Sequence, residues 1–136
     1  FKKMINSKII KIASNTRFNE LFNEFTHKSN IKNKKCGDTI TIELIVKKNT
    51  IMSMRYETES CIFCQASASI LASKINLFKI KDLKKDLKTL SDFTVDKKFV
   101  FPKKFNLYKV LLNNKNIGRF DCIMLPFKGL TKALNI

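Results

Sequence analysis

Four cysteines and one nearby acid are the residues of this chain whose types could carry chemistry. They are Cys36, Cys61, Cys64 and Cys122, with Asp38 two positions after the first. The cysteines are too few and too unevenly spaced for a secreted disulfide scaffold, and no signal peptide is recognisable. Reduced thiols inside a cell more often bind metal or act catalytically. We therefore expect a cytoplasmic protein whose thiols hold metal or attack sulfur.

The spacing of these residues favours a shared site. Residues two apart in an extended segment face the same way, so Cys36 and Asp38 can point at one spot, and Gly37 gives the backbone room to turn. Cys61 and Cys122 are each predicted at a helix start, where free amide groups and partial positive charge favour thiolate. Three sulfurs and one oxygen form a tetrahedral set acceptable to zinc. The same set suits an iron–sulfur cluster with one non-cysteine ligand.

Each of these residues also has a structural interpretation. A buried free cysteine is usually a small hydrophobe, and an acid such as Asp38 is most often a turn or cap residue. Cys64 could be a fourth ligand, a resolving thiol or a core residue, and its apolar neighbours favour the core. His27 is predicted at the surface or a sheet edge. Asp121 is predicted as a helix cap first and a spare ligand second.

Alternating apolar and polar residues predict the strands. Residues 39–47 alternate, with Ile40, Ile42 and Leu44 on one face, and residues 51–58 form the partner strand of a hairpin across the "KKNT" turn. The alternation places Ile51 and Ser53 on one face of this partner and Met52 and Met54 on the other. A short edge strand is predicted around His27.

Four-residue apolar spacing predicts the helices. They cover residues 1–14, 62–76, 80–90, a short stretch near 105–112, and a last helix ending near 134. Proline is tolerated in the first turn of a helix, so Pro126 places the last helix start at Cys122 or Ile123. The segment "DFTVDKKFVFPKK" is predicted to be irregular and "NNKNIG" a turn. Together these elements predict a single α+β domain over residues 1–136, a small antiparallel sheet of about three strands packed against several helices.

The charge of the chain is strongly positive but does not indicate a dedicated nucleic-acid binder. The net charge is +16, yet only 3 of the 27 cations are arginine, the residue that forks onto bases and phosphates. Lysine, asparagine and isoleucine are abundant together, which is typical of an AT-rich genome; non-specific attraction of polyanions stays open. The acid-free first 19 residues resemble an amphipathic helix more than a transit peptide. No apolar run approaches the ~20 residues of a membrane span, so no membrane partner is expected.

Three motifs in order resemble the NifU/IscU family of iron–sulfur cluster assembly proteins. They are "CGD", "CIFCQASASILA" and "RFDCIMLPFKGL", and the gaps of 25 and 61 residues between their cysteines resemble the SufU-like branch, as does the arginine at Arg119. The resemblance implies an α+β scaffold fold with the site at one exposed end. It implies ligand roles for Cys36, Asp38, Cys61 and Cys122, with Cys64, Arg119 and Asp121 as auxiliary residues.

The chain departs from the family pattern at several places. "ETES" replaces a glycine-rich approach to the second cysteine, which predicts a stiffer loop at Ser60, and "KNKK" replaces the usual Asn-Pro before "CGD". Asp121 stands where IscU-type members have histidine, and the chaperone-docking "LPPVK" motif is absent. These departures leave Asp38 as the best fourth ligand and put a specialised chaperone partner in doubt.

The resemblance implies two alternative functions. In the first, which we favour, a cysteine desulfurase supplies sulfur, a [2Fe–2S] cluster assembles on the site, and the cluster passes to apo iron–sulfur proteins. In the second, the protein is a sulfurtransferase that holds Zn²⁺, and Cys122 leaves the metal to accept persulfide sulfur. Two minor rivals, a thiol–disulfide enzyme using "CIFC" and a basic nucleic-acid module, leave Cys36, Asp38 and Cys122 unexplained. The sequence leaves open whether the protein forms a homo-oligomer.

Overall fold

The α+β architecture predicted from the sequence is confirmed. The computed structural model describes residues 6–92 and 102–136. Its longer elements follow one another as α1 Ser7–Ala13, β1 His27–Lys32, β2 Thr39–Lys47, β3 Thr50–Glu59, α2 Ile62–Ser73, α3 Leu83–Asp92 and α4 Phe120–Leu134. Short 3₁₀ helices cover Ile75–Leu77, Ile80–Asp82, Lys103–Val110 and Asn114–Arg119.

The sheet is antiparallel in the order β1-β2-β3. The β2–β3 hairpin turns at Lys48 and Asn49, which both have positive φ, at 50° and 61°. Two such residues match the right-handed twist of the flanking strands, which is why a two-residue connection suffices. At the other end of the sheet Lys32, Thr39 and Glu59 lie side by side. That second end carries the loop with Cys36 and the loop that leads through Cys61 into α2.

A β-bulge corrects the predicted alternation in β3. Ile45 pairs with Ser53 and Val46 with Ile51, so Met52 is an extra residue and is 57% exposed. An extra residue shifts the phase of a strand by one. Ile51 and Met54 are therefore both buried, and the predicted grouping of Met54 with Met52 is wrong.

One face of the sheet packs against α2 and α4. β2 contributes Ile40, Ile42 and Leu44, all fully buried. Helix α4 approaches closely at Gly129, where an added Cβ would lie 2.8 Å from Ile42 Cδ1, and the Ser29 hydroxyl donates a 2.7 Å hydrogen bond to the Gly129 carbonyl. These contacts fix α4, and thus its first turn, against the sheet.

The last helix begins earlier than predicted. α4 starts at Phe120, so Pro126 lies in its second turn and not its first. Because proline has no amide hydrogen, it cannot donate to the carbonyl four residues earlier, that of Cys122. The "NNKNIG" turn and the helix near 105–112 are 3₁₀ helices. Helix α1 covers Ser7–Ala13, and residues 1–5 of the predicted first helix lie outside the described residues, as does most of the segment predicted to be irregular. No helix in the described ranges is both long enough and apolar enough to cross a membrane.

Candidate metal centre

A short polar loop between β1 and β2 presents the first thiol. Asn33 holds both sides of this loop: its carbonyl accepts from the Gly37 amide at 2.8 Å, and its own amide donates to the Asp38 carbonyl at 2.8 Å. The Asn33 side chain also accepts from the amide of Lys35 at 3.0 Å. Gly37 has a φ of 79°, a left-handed conformation that glycine adopts without strain. Cys36 lies exposed in this loop.

Asp38 joins this loop to the start of α2. Its Oδ1 accepts a 3.2 Å hydrogen bond from the backbone amide of Cys61, and the side chain is buried, with 7% exposure. The second oxygen, Oδ2, is buried and has no hydrogen-bond partner among the described residues. No lysine or arginine of those residues forms an ion pair with it. A buried carboxylate without a cation is costly, so the site favours a positively charged guest.

Cys61 is the N-cap of α2, with extended backbone angles. The residue before it is held from two directions. The Thr58 hydroxyl lies 2.8 Å from the Ser60 hydroxyl and 2.6 Å from the Thr39 carbonyl, and the Gln65 side-chain amide donates to the Ser60 carbonyl at 2.9 Å. Side chains of β3 and α2 thus hold the loop at Ser60, in the stretch where "ETES" replaces the glycine-rich approach of the resembled family.

Cys122 lies in the first turn of α4 and is 5% exposed. Its sulfur is 3.9 Å from the sulfur of Cys36. These two sulfurs and a carboxylate oxygen of Asp38 all lie within 4.8 Å of one another. Burial, and then the neighbouring thiols of Cys61 and Cys36, raise the pKa of Cys122. A bound cation would reverse this effect, because it stabilises the thiolate.

The other two thiols differ from this pair and from each other. The Cys61 sulfur lies outside the 4.8 Å group, yet it is near enough to raise the pKa of Cys122. Cys64, one helical turn further on, is fully buried in the core, as its apolar neighbours predict. Burial raises the pKa of Cys64 to about 12, so it is a neutral thiol at physiological pH.

The remaining residues singled out from the sequence lie around or away from this group. His27 begins β1 opposite Leu44, far from the loop end of the sheet. The prediction of Asp121 as a helix cap is wrong, because α4 begins one residue before it and its N-cap is Arg119. The carboxylate of Asp121 instead lies 3.5 Å from the ammonium of Lys35, and both are exposed. Arg119 is half-buried beside this end of α4.

Sequence reasoning missed the residues that hold the loops. The sequence-based predictions give Asn33 no role, although asparagine side chains commonly close turns by accepting from the amide two residues further on. Gln65 and Thr58 gave no comparable signal, since their partners are backbone groups brought near by tertiary packing.

The chain matches a known family over most of its length. Residues 4–103 match the model of the NifU-like N terminal domain. The chain belongs to the NifU-like N-terminal domain family. This confirms the NifU/IscU-type resemblance that the cysteine motifs indicated.

Two curated relatives cover nearly the whole chain. The iron–sulfur cluster assembly scaffold protein IscU of Thermotoga maritima is 27% identical over 135 residues, which is 98% of this chain and 94% of that protein. An uncharacterized protein of Borreliella burgdorferi is 29% identical over 133 residues, covering 96% of this chain and 82% of the relative. The chain is therefore similar over nearly its whole length to an iron–sulfur cluster assembly scaffold protein.

Two solved structures share the fold. A NifU-like protein (N-terminal) from Brucella abortus superposes with a TM-score of 0.79 at 18% identity, over 96% of this chain and 91% of that one. The SUF-system protein FiSufU from Fervidobacterium islandicum also gives 0.79, at 23% identity and 97% of each chain. The chain therefore shares its overall fold with both structures.

The residues present fit a metal guest on chemical grounds. Sulfur ligands suit zinc and iron–sulfur clusters, and a carboxylate oxygen is an acceptable ligand beside them. The buried, unneutralised Oδ2 of Asp38 is the feature of this structure that calls for a cation.

Proposed function

We propose that the protein is a scaffold on which a [2Fe–2S] cluster is assembled and from which it is transferred to apo iron–sulfur proteins. The proposal treats residues 1–136 as one functional unit with Cys36, Asp38, Cys61 and Cys122 as ligands. The observation that supports it is the convergence of the Cys36 and Cys122 sulfurs with an oxygen of Asp38 within 4.8 Å. Its free thiols require a reducing compartment, which supports a cytoplasmic location.

Each ligand has a distinct part in this proposal. Cys61 is the N-cap of α2 and Cys122 lies in the first turn of α4, so two different helices each supply one sulfur ligand. Cys36 lies on an exposed loop, where it offers the route by which iron and sulfur enter and the cluster leaves. Asp38 contributes a harder oxygen ligand beside the sulfurs, which binds iron less firmly and exchanges more readily. A scaffold needs this property because its cargo must depart.

Sulfur delivery follows ordinary persulfide chemistry. A site thiolate attacks the outer sulfur of the cysteine persulfide on the desulfurase, the sulfur–sulfur bond breaks, and the donor cysteine leaves as a thiolate. A reductant then supplies two electrons to convert each transferred sulfur to sulfide. Cys36 is the exposed thiol and meets a donor first. Cys122, the acceptor that the sequence suggested, lies buried behind it and requires the Cys36 loop to open.

The same ligands support a second candidate, a zinc-dependent sulfurtransferase. Three thiols and one carboxylate also satisfy a four-coordinate zinc site, and Zn²⁺ would keep the thiolates ionised without redox chemistry. In this alternative the acceptor, Cys122 by the sequence resemblance, exchanges between metal ligation and persulfide. The partner in both cases is a cysteine desulfurase; only the scaffold also requires apo iron–sulfur recipients.

Metal retention tests the shared site directly. The protein is purified without oxygen and its zinc, iron and sulfide are measured, together with Cys36→Ser, Cys61→Ser and Cys122→Ser. We expect each of these changes to remove most of the metal. Cys64→Ser is the matched control, since that thiol is buried in the core, and it should keep the metal. Equal metal content in all four variants would contradict the shared site.

The content of the site then separates the two functions. A visible absorption band, with sulfide and iron in similar amounts, indicates the scaffold, whereas colourless protein with zinc alone indicates the sulfurtransferase. If the oxygen ligand makes the cluster labile, Asp38→Ala should slow cluster transfer to an apo-ferredoxin. An unchanged transfer rate would remove that role from Asp38.

A further inference from the structure

Two serines of the motif "CIFCQASASILA" lie in the protein core and bind elements other than their own helix. Ser67 is fully buried and Ser69 is 3% exposed, so each hydroxyl is costly unless it forms a hydrogen bond. A serine within a helix commonly donates to a carbonyl of its own preceding turn, as Ser91 does in α3. Ser67 instead donates to the carbonyl of Ile123 in α4 at 2.6 Å. Ser69 donates to the carbonyl of Asn15, just after α1, at 3.1 Å.

The Ser67 bond joins the two helices that carry Cys61 and Cys122. Cys61 is the N-cap of α2, and Ser67 lies less than two helical turns after it, about 9 Å along the helix axis. The acceptor, Ile123, directly follows Cys122 in the first turn of α4. The bond therefore fixes where the first turn of α4 lies relative to the helix that begins at Cys61.

The first turn of α4 depends on support from outside the helix. Pro126 has no amide hydrogen, so the carbonyl of Cys122 lacks the donor that a regular helix would supply. No side chain within the described ranges caps the N-terminus of α4 either. A first turn that lacks one internal hydrogen bond and a cap is held mainly by its contacts with other elements, and the Ser67 hydroxyl is one of these contacts.

Tyr108 supports the same junction. Its side chain is buried, and its hydroxyl donates to the carbonyl of Ser67 at 3.2 Å. Its ring packs against the ring of Phe127 in α4, with the centroids 5.3 Å apart. Tyr108 thus contacts both helices beside the Ser67 bond, and its hydroxyl can be removed without removing the packing of its ring.

We propose that Ser67 is a positioning residue of the candidate metal centre, and that its hydroxyl holds the first turn of α4 where the Cys61 and Cys122 sulfurs bind the same ion. The proposal rests on the function proposed above. The Ser67 hydroxyl bonds the backbone beside Cys122 and not a ligand side chain. The Cys61 sulfur depends on this bond most, because it lies outside the group within 4.8 Å formed by Cys36, Cys122 and Asp38.

A matched pair of serine variants tests the proposal. Ser67→Ala and Ser69→Ala each remove one buried hydroxyl that donates from α2 to a backbone carbonyl, so both should lower the stability of the metal-free protein in urea to a similar extent. Ser67→Ala should lose about tenfold in zinc affinity. Ser69→Ala should bind zinc as the unaltered protein does, because its bond does not reach α4. X-ray absorption at the zinc edge should count one sulfur fewer in Ser67→Ala than in Ser69→Ala.

A milder variant makes the same comparison if Ser67→Ala does not fold. Tyr108→Phe keeps the ring beside Phe127 and removes only the hydroxyl that donates to the Ser67 carbonyl. It should weaken zinc binding by about threefold. Unchanged zinc affinity in a folded Tyr108→Phe, together with unchanged affinity in Ser67→Ala wherever that variant folds, counts against the proposal.

The Cys61→Ser background separates positioning from a general loss of stability. If Ser67 acts by bringing the Cys122 sulfur to the same ion as Cys61, then Ser67→Ala should not weaken zinc binding further once Cys61 carries no thiol. The four proteins of this cycle are titrated with zinc against a competing chelator. A general structural role of Ser67 would lower zinc affinity equally in both backgrounds.

Three results would overturn the proposal. They are unchanged zinc affinity and sulfur count in Ser67→Ala, equal losses of affinity in Ser67→Ala and Ser69→Ala, and a loss that is as large in Cys61→Ser as in the unaltered protein. The proposed function fails on a different measurement. If iron and sulfide added to the unaltered protein give no visible cluster band while the zinc results hold, the scaffold function fails and the role of Ser67 stands. If the cluster forms and Ser67→Ala changes nothing, only the role of Ser67 fails.

Discussion

Two buried aspartates in different corners of the molecule have opposite surroundings. Asp38, near the thiols, is 7% exposed, and Asp86, on α3, is 4% exposed. The Oδ1 of Asp86 accepts from the Lys104 ammonium at 2.5 Å, and that ammonium also lies near the rings of Phe78 and Phe105. The side chain of Asp38 accepts only the Cys61 amide among the described residues.

The difference separates a structural carboxylate from a binding one. Asp86 forms an ion pair with Lys104, and this pair connects α3 to the 3₁₀ helix Lys103–Val110. Glu43 on β2 behaves the same way: its carboxylate lies 3.5 Å from the Lys28 ammonium and accepts from the Phe22 amide at 2.9 Å. Of the three acids Asp38, Glu43 and Asp86, only Asp38 lies beside thiols and forms no ion pair with a lysine among the described residues. A buried carboxylate without its own cation, beside thiols, indicates a site that is completed from outside.

The largest expected effect concerns the limits of the binding corner, the region around Cys36, Asp38, Cys61 and Cys122. Cys64 adjoins it but, with a pKa of about 12, has about a thousandfold less thiolate near pH 8 than an ordinary cysteine. In metal-free protein we expect iodoacetamide to modify the exposed Cys36 first and Cys64 last, as followed by mass spectrometry. Unfolding the protein in urea at pH 8 should bring Cys64 into reaction, because the thiol is then exposed and no longer has its pKa raised by burial. Rapid modification of Cys64 at pH 8 in the folded protein would contradict its assignment to the core and would add it to the reactive thiols of the binding corner.

The surroundings of Asp86, the structural corner, are tested by removing the negative charge of its ion pair with Lys104. Asp86→Asn leaves the Lys104 ammonium without its carboxylate, and we expect the free energy of unfolding to fall by about 2 kcal/mol. The expected loss is below that of a fully buried pair because the Lys104 side chain is 30% exposed. Urea denaturation of the metal-free protein measures it, and zinc affinity should not change. A loss under about 0.5 kcal/mol would show that Asp86 does not depend on its lysine.

The same isosteric change at Asp38, in the binding corner, should leave the stability of the metal-free protein nearly unchanged and weaken zinc binding. Asp38→Asn keeps an oxygen for the Cys61 amide but removes the buried charge, so the metal-free protein should unfold within about 0.5 kcal/mol of the unaltered one, or be more stable. Zinc affinity should fall about tenfold, or about 1.4 kcal/mol, because one anionic ligand is lost. This is an equilibrium property of zinc and is separate from the rate at which a cluster leaves. If Asp38→Asn destabilises the metal-free protein as much as Asp86→Asn, the two corners do not differ.

The sequence alone predicted the parts that depend on local pattern. The alternation of apolar and polar residues located β2, whose predicted bounds, residues 39–47, match the observed strand. The sequence also paired Cys36 with Asp38, although the segment expected to be extended is a turn in which Gly37 has a φ of 79°. The apolar neighbours of Cys64 indicated its burial. Each of these signals lies within a few residues of the feature it predicts.

The parts that it did not predict depend on distant contacts. The bulge at Met52 is set by how β3 pairs with β2, and the start of α4 at Phe120 follows from the preceding 3₁₀ helix and not from Pro126. The pairing of Asp86 with Lys104 joins segments that no periodicity connects. The position of the Cys61 sulfur, outside the tight group, likewise depends on how α2 packs against the rest of the fold.

The coordination of a bound ion tests the central claim most directly. Zinc is added to the metal-free protein without oxygen, and X-ray absorption at the zinc edge counts the ligands. We expect three sulfurs at about 2.3 Å and one oxygen at about 2.0–2.2 Å, with the oxygen contribution altered in Asp38→Asn and the spectrum unchanged in Cys64→Ser. Four sulfurs, or a spectrum identical in Asp38→Asn, would contradict a site built from Cys36, Asp38, Cys61 and Cys122.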